Sequence, residues 1–175
     1  ATAMPWNVRF IELFDRCLPR YQAGARDFTS YSAAADLGLL SAIGCKPREF
    51  YDYVEDYATD GDPAPSTALL IAAVRRDFFL VQQQGVTSRR TVAPDDLPTF
   101  GDSLGGIPYL PRILAKARAK LRGELDPEIM FGCGGDRRFL REHGQMHPAD
   151  FLRHVCAAGT DDAKVLACVK QAAGP

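Results

Sequence analysis

The sequence predicts a mainly α-helical protein made of two tandem, diverged four-helix units that pack as one pseudo-symmetric molecule. Apolar residues recur at the 3.6-residue spacing of amphipathic helices in several stretches. No stretch alternates apolar and polar residues for long enough to build a sheet. Residues 10–76 can also be laid over residues 107–171 at an offset of about 100, with the same features in the same order.

The matched positions include charged, glycine and proline residues as well as apolar ones. They are Arg16 with Lys116, Asp36 with Asp136, Leu40 with Leu140, Gly44 with Gly144 and, shifted by one residue, Pro47 with Pro148 and Phe50 with Phe151. Collinear matches over this length are typical of a duplicated structural unit. We therefore predict a first helical repeat over residues 5–84, a second over 107–172, and between them a linker over 85–106 that is rich in Gly, Pro, Ser and Thr.

The first helix of each copy is predicted over residues 8–23 and 107–122. Pro19 is expected to kink the earlier helix or end it early, because proline lacks the N–H that a helix interior needs. In the later helix, basic residues alternate with alanines and are expected to form a solvated face: Lys116, Arg118, Lys120 and Arg122. The alternative is that the basic residues of 112–122 form a patch for phosphates.

Glycine and proline mark the helices that follow. The second helix, over 34–43 or 136–142, should end where Gly44 or Gly144 adopts the left-handed conformation. Pro47 or Pro148 should then open the third helix, where a missing N–H is tolerated. The fourth helix is predicted over 66–83 and 161–172, with Thr160 as the N-cap of the later one.

The two retained polar pairs, Arg16 with Asp36 and Lys116 with Asp136, are predicted to be ion pairs. Each joins a basic residue on the first helix to the acid that opens the second helix, and this explains both copies. The functional alternative is that Asp136 acts as a general base.

The turn over residues 131–138 occurs only in the second copy and is the strongest candidate site. Cys133 lies just before a helix start and near basic side chains, a setting that favours a nucleophilic thiolate. The candidate catalytic residues are therefore Cys133, Asp136 and Arg112. Backbone N–H groups at a helix start also bind anions, so the candidate anion-binding residues are Gly134, Gly135, Arg137, Arg138 and Lys116.

No metal or cofactor is predicted. His143, His147 and His154 all lie in the second copy, but Gly144 and Pro148 break any helix that could present the first two together. We expect these histidines at the surface. A triad of Cys133, His143 and Asp136 has no support from spacing, and neither a Gly-rich phosphate loop nor a dinucleotide fingerprint occurs.

Charge and cysteine content restrict the partners and the compartment. With 21 basic and 22 acidic residues the net charge is −1, which disfavours a dedicated nucleic-acid binder. No apolar run reaches the length of a membrane span, and no signal peptide is evident. The five scattered cysteines predict reduced thiols in a cytoplasm. A small molecule or a partner protein is the expected partner, and the protein is expected to be a monomer or a homodimer.

The second copy combines the Gly- and Pro-containing stretch 104–123 with Cys133 and the run Asp136 to Leu140. Over about 104–171 this pattern resembles the bacterial family called domain of unknown function 5069. The family pattern usually has Asp where Ala115 stands and Pro where Gly134 stands. The resemblance implies a small cytoplasmic helical protein and marks Arg112, Lys116, Cys133 and Asp136 as motif residues. It transfers no activity.

Two functional hypotheses remain. In the preferred one, the protein is a non-catalytic module that binds a small ligand or a partner protein in a groove between its copies. In the alternative, it is a small enzyme that acts on an anionic small molecule, with its site at the Cys133–Arg138 turn together with Arg112.

Overall fold

The computed structural model describes residues 2–27 and 33–174. Within these residues the protein is mainly α-helical, with eight α-helices and one short hairpin. The chain divides into two compact units, Ala1–Gly85 and Val86–Pro175. Each unit contains four of the α-helices, as the sequence predicted; their origin by duplication stays a prediction.

The first unit contains α1 (Trp6–Gln22), α2 (Ala34–Ala42), α3 (Pro47–Asp60) and α4 (Pro65–Asp77), and a π-helical turn over Phe78–Gln82 continues α4. Its core forms where α1 packs on α3: the Phe50 ring lies edge-on to Phe10 at 5.2 Å and to Phe14 at 5.9 Å. The prediction that Pro19 ends α1 early is wrong, because the helix continues for three more residues. Tyr21 is buried in that last turn, and its packing outweighs one missing backbone hydrogen bond.

The second unit contains α5 (Leu110–Arg122), α6 (Gly134–Glu142), α7 (Pro148–Ala158) and α8 (Asp162–Ala173). Residues 107 and 108, predicted as helix, form strand β2 (Ile107–Pro108), which pairs antiparallel with β1 (Ser103–Leu104). The N-cap of α8 is Asp161 instead of the predicted Thr160, because the Asp161 carboxylate accepts from the N–H groups of Ala163 and Lys164.

The predicted solvated face of α5 is wrong for two of its members. Lys116 and Lys120 are each only 3% exposed. Both lie on the part of α5 that the second unit encloses, and α7 packs against this helix. The glycine and proline predictions are confirmed: Gly44 (φ +71°) and Gly144 (φ +81°) are left-handed, and Pro47 and Pro148 open α3 and α7.

The segment from 86 to 106, predicted as part of a linker, lies within the second compact unit. The Val92 N–H donates to the Glu124 carbonyl at 2.7 Å, and Val92 and Leu125 form a parallel β-bridge. The Ser88 hydroxyl donates to the Glu124 carboxylate at 2.6 Å. None of the helices in the described part of the chain combines the length and apolar character of a membrane span.

Candidate functional site

A buried ion pair joins α5 to α6 in the second unit. The Lys116 ammonium lies 2.6 Å from Asp136, with the two side chains 3% and 0% exposed. The corresponding pair in the first unit, Arg16 and Asp36, is 2.9 Å apart, but the Arg16 side chain is 54% exposed. Both predicted pairs are therefore confirmed, and burial distinguishes them.

The Asp136 carboxylate accepts from three donors. Besides Lys116, the Tyr109 hydroxyl donates at 2.5 Å and the Gly132 N–H at 2.9 Å. A buried carboxylate that accepts this many hydrogen bonds connects the elements that supply the donors. The geometry thus gives Asp136 a positioning role, because its oxygens are already engaged and it is closed to solvent.

Tyr109 is the residue of this cluster that the sequence analysis missed. It is the N-cap residue of α5 and has left-handed backbone geometry (φ +73°), which is uncommon for a residue other than glycine. Burial, followed by the charge of Asp136 and the hydrogen bond to it, raises the pKa of Tyr109 well above its usual range. The hydroxyl therefore remains a donor. Tyr109 lies close to Asp136 because of the hairpin before α5, and no local sequence pattern indicated this contact.

Cys133 lies at the edge of the cluster as the N-cap residue of α6. Its thiol is half-exposed and makes no side-chain cap to the helix. The Lys116 ammonium lies 3.3 Å from the Cys133 sulfur and 2.6 Å from the carboxylate of Asp136. A single buried cation therefore contacts both the carboxylate and the thiol.

Gly134 and Gly135, the first two residues of α6, are both exposed. A Cβ on Gly135 would lie 3.2 Å from the Tyr109 hydroxyl and 3.9 Å from the Cys133 sulfur. The missing side chain thus leaves the approach to Cys133 and to the α6 N-terminus open. These first N–H groups of a helix have no intrahelical acceptor.

The three candidate arginines lie in different surroundings. The Arg112 guanidinium donates to the Pro98 carbonyl at 3.0 Å and lies 4.3 Å from the centre of the Phe100 ring. Arg137 is buried and donates to the Gly132 carbonyl at 2.9 Å, which supports the turn. Arg138 is 77% exposed and pairs with Glu142 on the surface of α6, so the structure gives no contact between Arg138 and the cluster.

The histidines lie outside the cluster. His143 stacks on Phe139 at 4.2 Å and bonds to the Phe139 carbonyl, and His147 accepts from the Ala149 N–H at the start of α7. Both are half-buried, and only His154 is exposed as predicted. Across residues 2–27 and 33–174, no group of three or more His, Cys, Asp or Glu is placed to hold a metal ion.

Comparison with known proteins gives one match. The model of the family described as Domain of unknown function (DUF5069) matches residues 100–175. No curated protein and no solved structure matches the chain. The match spans α5 to α8 and includes all of the candidate residues, so the resemblance predicted from the motif is confirmed. Residues 100–175, a little less than half of the chain, are thus similar to the DUF5069 family.

Proposed function

We propose that the second unit carries a nucleophilic thiol, Cys133, which reacts with small anionic electrophiles. The observation that carries this proposal is the 3.3 Å contact between the Lys116 ammonium and the Cys133 sulfur. This is the alternative hypothesis from the sequence. It gains weight because nucleophile, cation and positioning groups, which had no credible spacing along the chain, lie within hydrogen-bonding distance of one another.

The groups around the Cys133 sulfur are a cation and the hydrogen-bond donors at a helix start. The buried ammonium of Lys116 is held by Asp136, so it needs no rearrangement to face the thiol. Cys133 also lies at the N-terminus of α6, where the helix dipole and free N–H groups favour an anion. Cys17 differs: its burial, mainly, raises the pKa of this thiol to about 11.

The proposed preference for an anionic substrate rests on the positively polarised groups near Cys133. The exposed N–H end of α6 and the Arg112 guanidinium both attract negative charge. Attack by the thiolate on an electrophilic carbon would form a sulfur–carbon bond and expel the leaving group with its electron pair. Cys133 is a free thiol, and the reducing cytoplasm predicted from the sequence would keep it in this state.

Competitive alkylation of the folded protein tests the proposal. Limiting iodoacetamide or iodoacetate is added briefly, the protein is then unfolded and blocked, and each cysteine peptide is quantified by mass spectrometry. Cys156 and Cys168 are matched internal controls, because both are half-exposed like Cys133. We expect Cys133 to react at least about tenfold faster than either control. Its iodoacetate to iodoacetamide rate ratio should also be higher than theirs. Equal rates at the three thiols would overturn the proposal.

The preferred sequence hypothesis, non-catalytic binding, becomes the second candidate, now as anion binding at the start of α6. It is favoured by the exposure of Gly134 and Gly135 and by the absence of a side-chain cap from Cys133. Under this candidate, Cys133→Ser would bind inorganic phosphate as tightly as the parent protein, with the largest amide shifts at Gly134 and Gly135 in an NMR titration. Shifts elsewhere, or none, would contradict it.

A further inference from the structure

We propose that Phe100, together with Arg112, forms a platform that receives the planar aromatic part of the substrate. The inference rests on the proposed function and names its substrate class: an aromatic or similarly planar molecule that carries a negative charge. Neither the sequence analysis nor the family match assigns a role to Phe100.

The exposure of Phe100 is the first observation. Phe100 as a whole residue is 69% exposed, although a phenyl ring gains free energy when it is buried. Its ring is held in place, because it stacks on Tyr109 with 6.0 Å between centroids and 20° between planes. The Arg112 guanidinium lies over the ring, 4.3 Å from its centre. Since the residue stays mostly exposed despite these two contacts, we infer that a ligand in solution can reach the ring.

Tyr109 connects this platform to the thiol. Its ring supports Phe100, while its hydroxyl donates to Asp136 and lies beside Gly135. A molecule lying on Phe100 and extending along Tyr109 would therefore reach the glycines of α6 and the sulfur of Cys133. Because Tyr109 is held by Asp136 and by the Phe139 ring at 5.5 Å, the distance from platform to thiol is set by the fold.

The chemistry of the platform selects its ligand. An accessible ring favours contact with another π system, and the guanidinium that lies over this ring adds attraction for a negative charge. A saturated molecule of equal size and charge would keep the charge attraction but lose the stacking. Aromatic pairs contribute on the order of 1 kcal/mol beyond burial, which corresponds to about a fivefold change in Kd.

The test is an NMR titration of the ¹⁵N-labelled protein with benzoate and, separately, with cyclohexanecarboxylate. These probes have equal charge and similar size but differ in planarity. We expect the Kd of benzoate to be about fivefold lower, with shifts at the Phe100 and Gly135 amides. In Phe100→Leu, which keeps an apolar side chain, the two Kd values should become equal. The control is Val86→Ala, at a similarly exposed position (68%), which should keep the preference.

Equal affinities in the parent protein, or a preference that survives in Phe100→Leu, would overturn the platform. Because this titration does not use the thiol, its outcome is independent of the outcome of the alkylation experiment. Fast alkylation of Cys133 without a benzoate preference would overturn the platform alone. A benzoate preference that is lost in Phe100→Leu, combined with slow alkylation, would overturn the reactive thiol and leave a binding surface for aromatic anions.

Discussion

The two units contain the same kind of ion pair in different surroundings. Arg16 and Asp36 join α1 to α2 at the surface, whereas Lys116 and Asp136 join α5 to α6 in the interior. An exposed pair is weakened by water and contributes little to stability. A buried pair has a large desolvation cost, and it persists because other donors complete its hydrogen bonding. The buried Lys116–Asp136 pair is therefore the place where the second unit differs chemically from the first.

The residues around each pair account for this difference. At the predicted offset of about 100 residues from Tyr109, the first unit has Arg9, which donates to the Ala35 carbonyl and not to Asp36. At the position of Cys133 it has Ala33, the N-cap residue of α2. The first unit thus has the scaffold of the pair without the phenol or the thiol, and we propose a reactive site in the second unit only.

The largest expected effect comes from breaking the buried pair. Lys116→Met leaves the Asp136 carboxylate buried without its cation and should lower the free energy of unfolding by about 3–5 kcal/mol. Arg16→Met is the matched control and should cost less than about 1 kcal/mol, since its partner stays near water. Urea unfolding followed by circular dichroism measures both, and hydrogen exchange in α5 and α6 locates the loss.

Equal costs for the two variants would contradict the comparison. Trp6, the single tryptophan, lies in α1 and reports on the first unit. The unfolding midpoint measured by its fluorescence should therefore shift more in Arg16→Met than in Lys116→Met. A large shift of this signal in Lys116→Met would mean that the loss is not confined to the second unit.

Local patterns explain which features the sequence predicted. The helices, the glycine caps and the opening prolines depend on neighbouring residues, so periodicity and turn chemistry indicate them. The burial of Lys116 and Lys120 does not depend on neighbouring residues in this way, because the same charged and alanine residues would form a solvated face on an unpacked helix. Tyr109 and Phe100 meet through the turn before α5. Contacts of this kind follow from tertiary packing, which no short motif in the sequence encodes.

A smaller difference is expected at the paired glycine caps. Gly144→Ala would place a Cβ 2.0 Å from the Ala172 carbonyl oxygen, in addition to the strain of φ +81°. At Gly44 the nearest atom is Phe79 Cγ at 2.8 Å, which is a longer distance and belongs to a side chain instead of the backbone. We expect losses of about 2–4 kcal/mol for Gly144→Ala and about 1–2 kcal/mol for Gly44→Ala, measured by thermal unfolding.

A third glycine separates strain from crowding. Gly61 is also left-handed (φ +71°), but nothing lies within 4 Å of the position that a Cβ would occupy there. Gly61→Ala should therefore show the strain alone, about 1 kcal/mol. If Gly144→Ala costs no more than Gly61→Ala, the backbone contact with Ala172 is not a tight one and the comparison between the caps fails.

The last difference concerns an acidic side chain on α3 and appears only as the pH rises. Asp52 pairs with Arg48 at 3.2 Å and is 15% exposed. Burial raises the pKa of Asp52 to about 6; the hydrogen bond and charge of Arg48 oppose the rise, and Glu55 and Asp56 add to it. At the position that corresponds to Asp52, the second unit has Arg153, which pairs with Asp150 in an exposed ion pair.

The sign follows from proton linkage. The native state binds the Asp52 proton more tightly than the unfolded chain, whose pKa is about 4. The favourable contribution of Asp52 is therefore complete below pH 4 and is lost as the pH rises through about 6. Asp52→Asn should match the parent protein at pH 4 and exceed its free energy of unfolding by about 2 kcal/mol at pH 8. Asp150→Asn should change stability by less than about 0.5 kcal/mol at both values. Parallel urea-unfolding profiles for Asp52→Asn and the parent protein across this range would show that water reaches Asp52, and that the two units do not differ here.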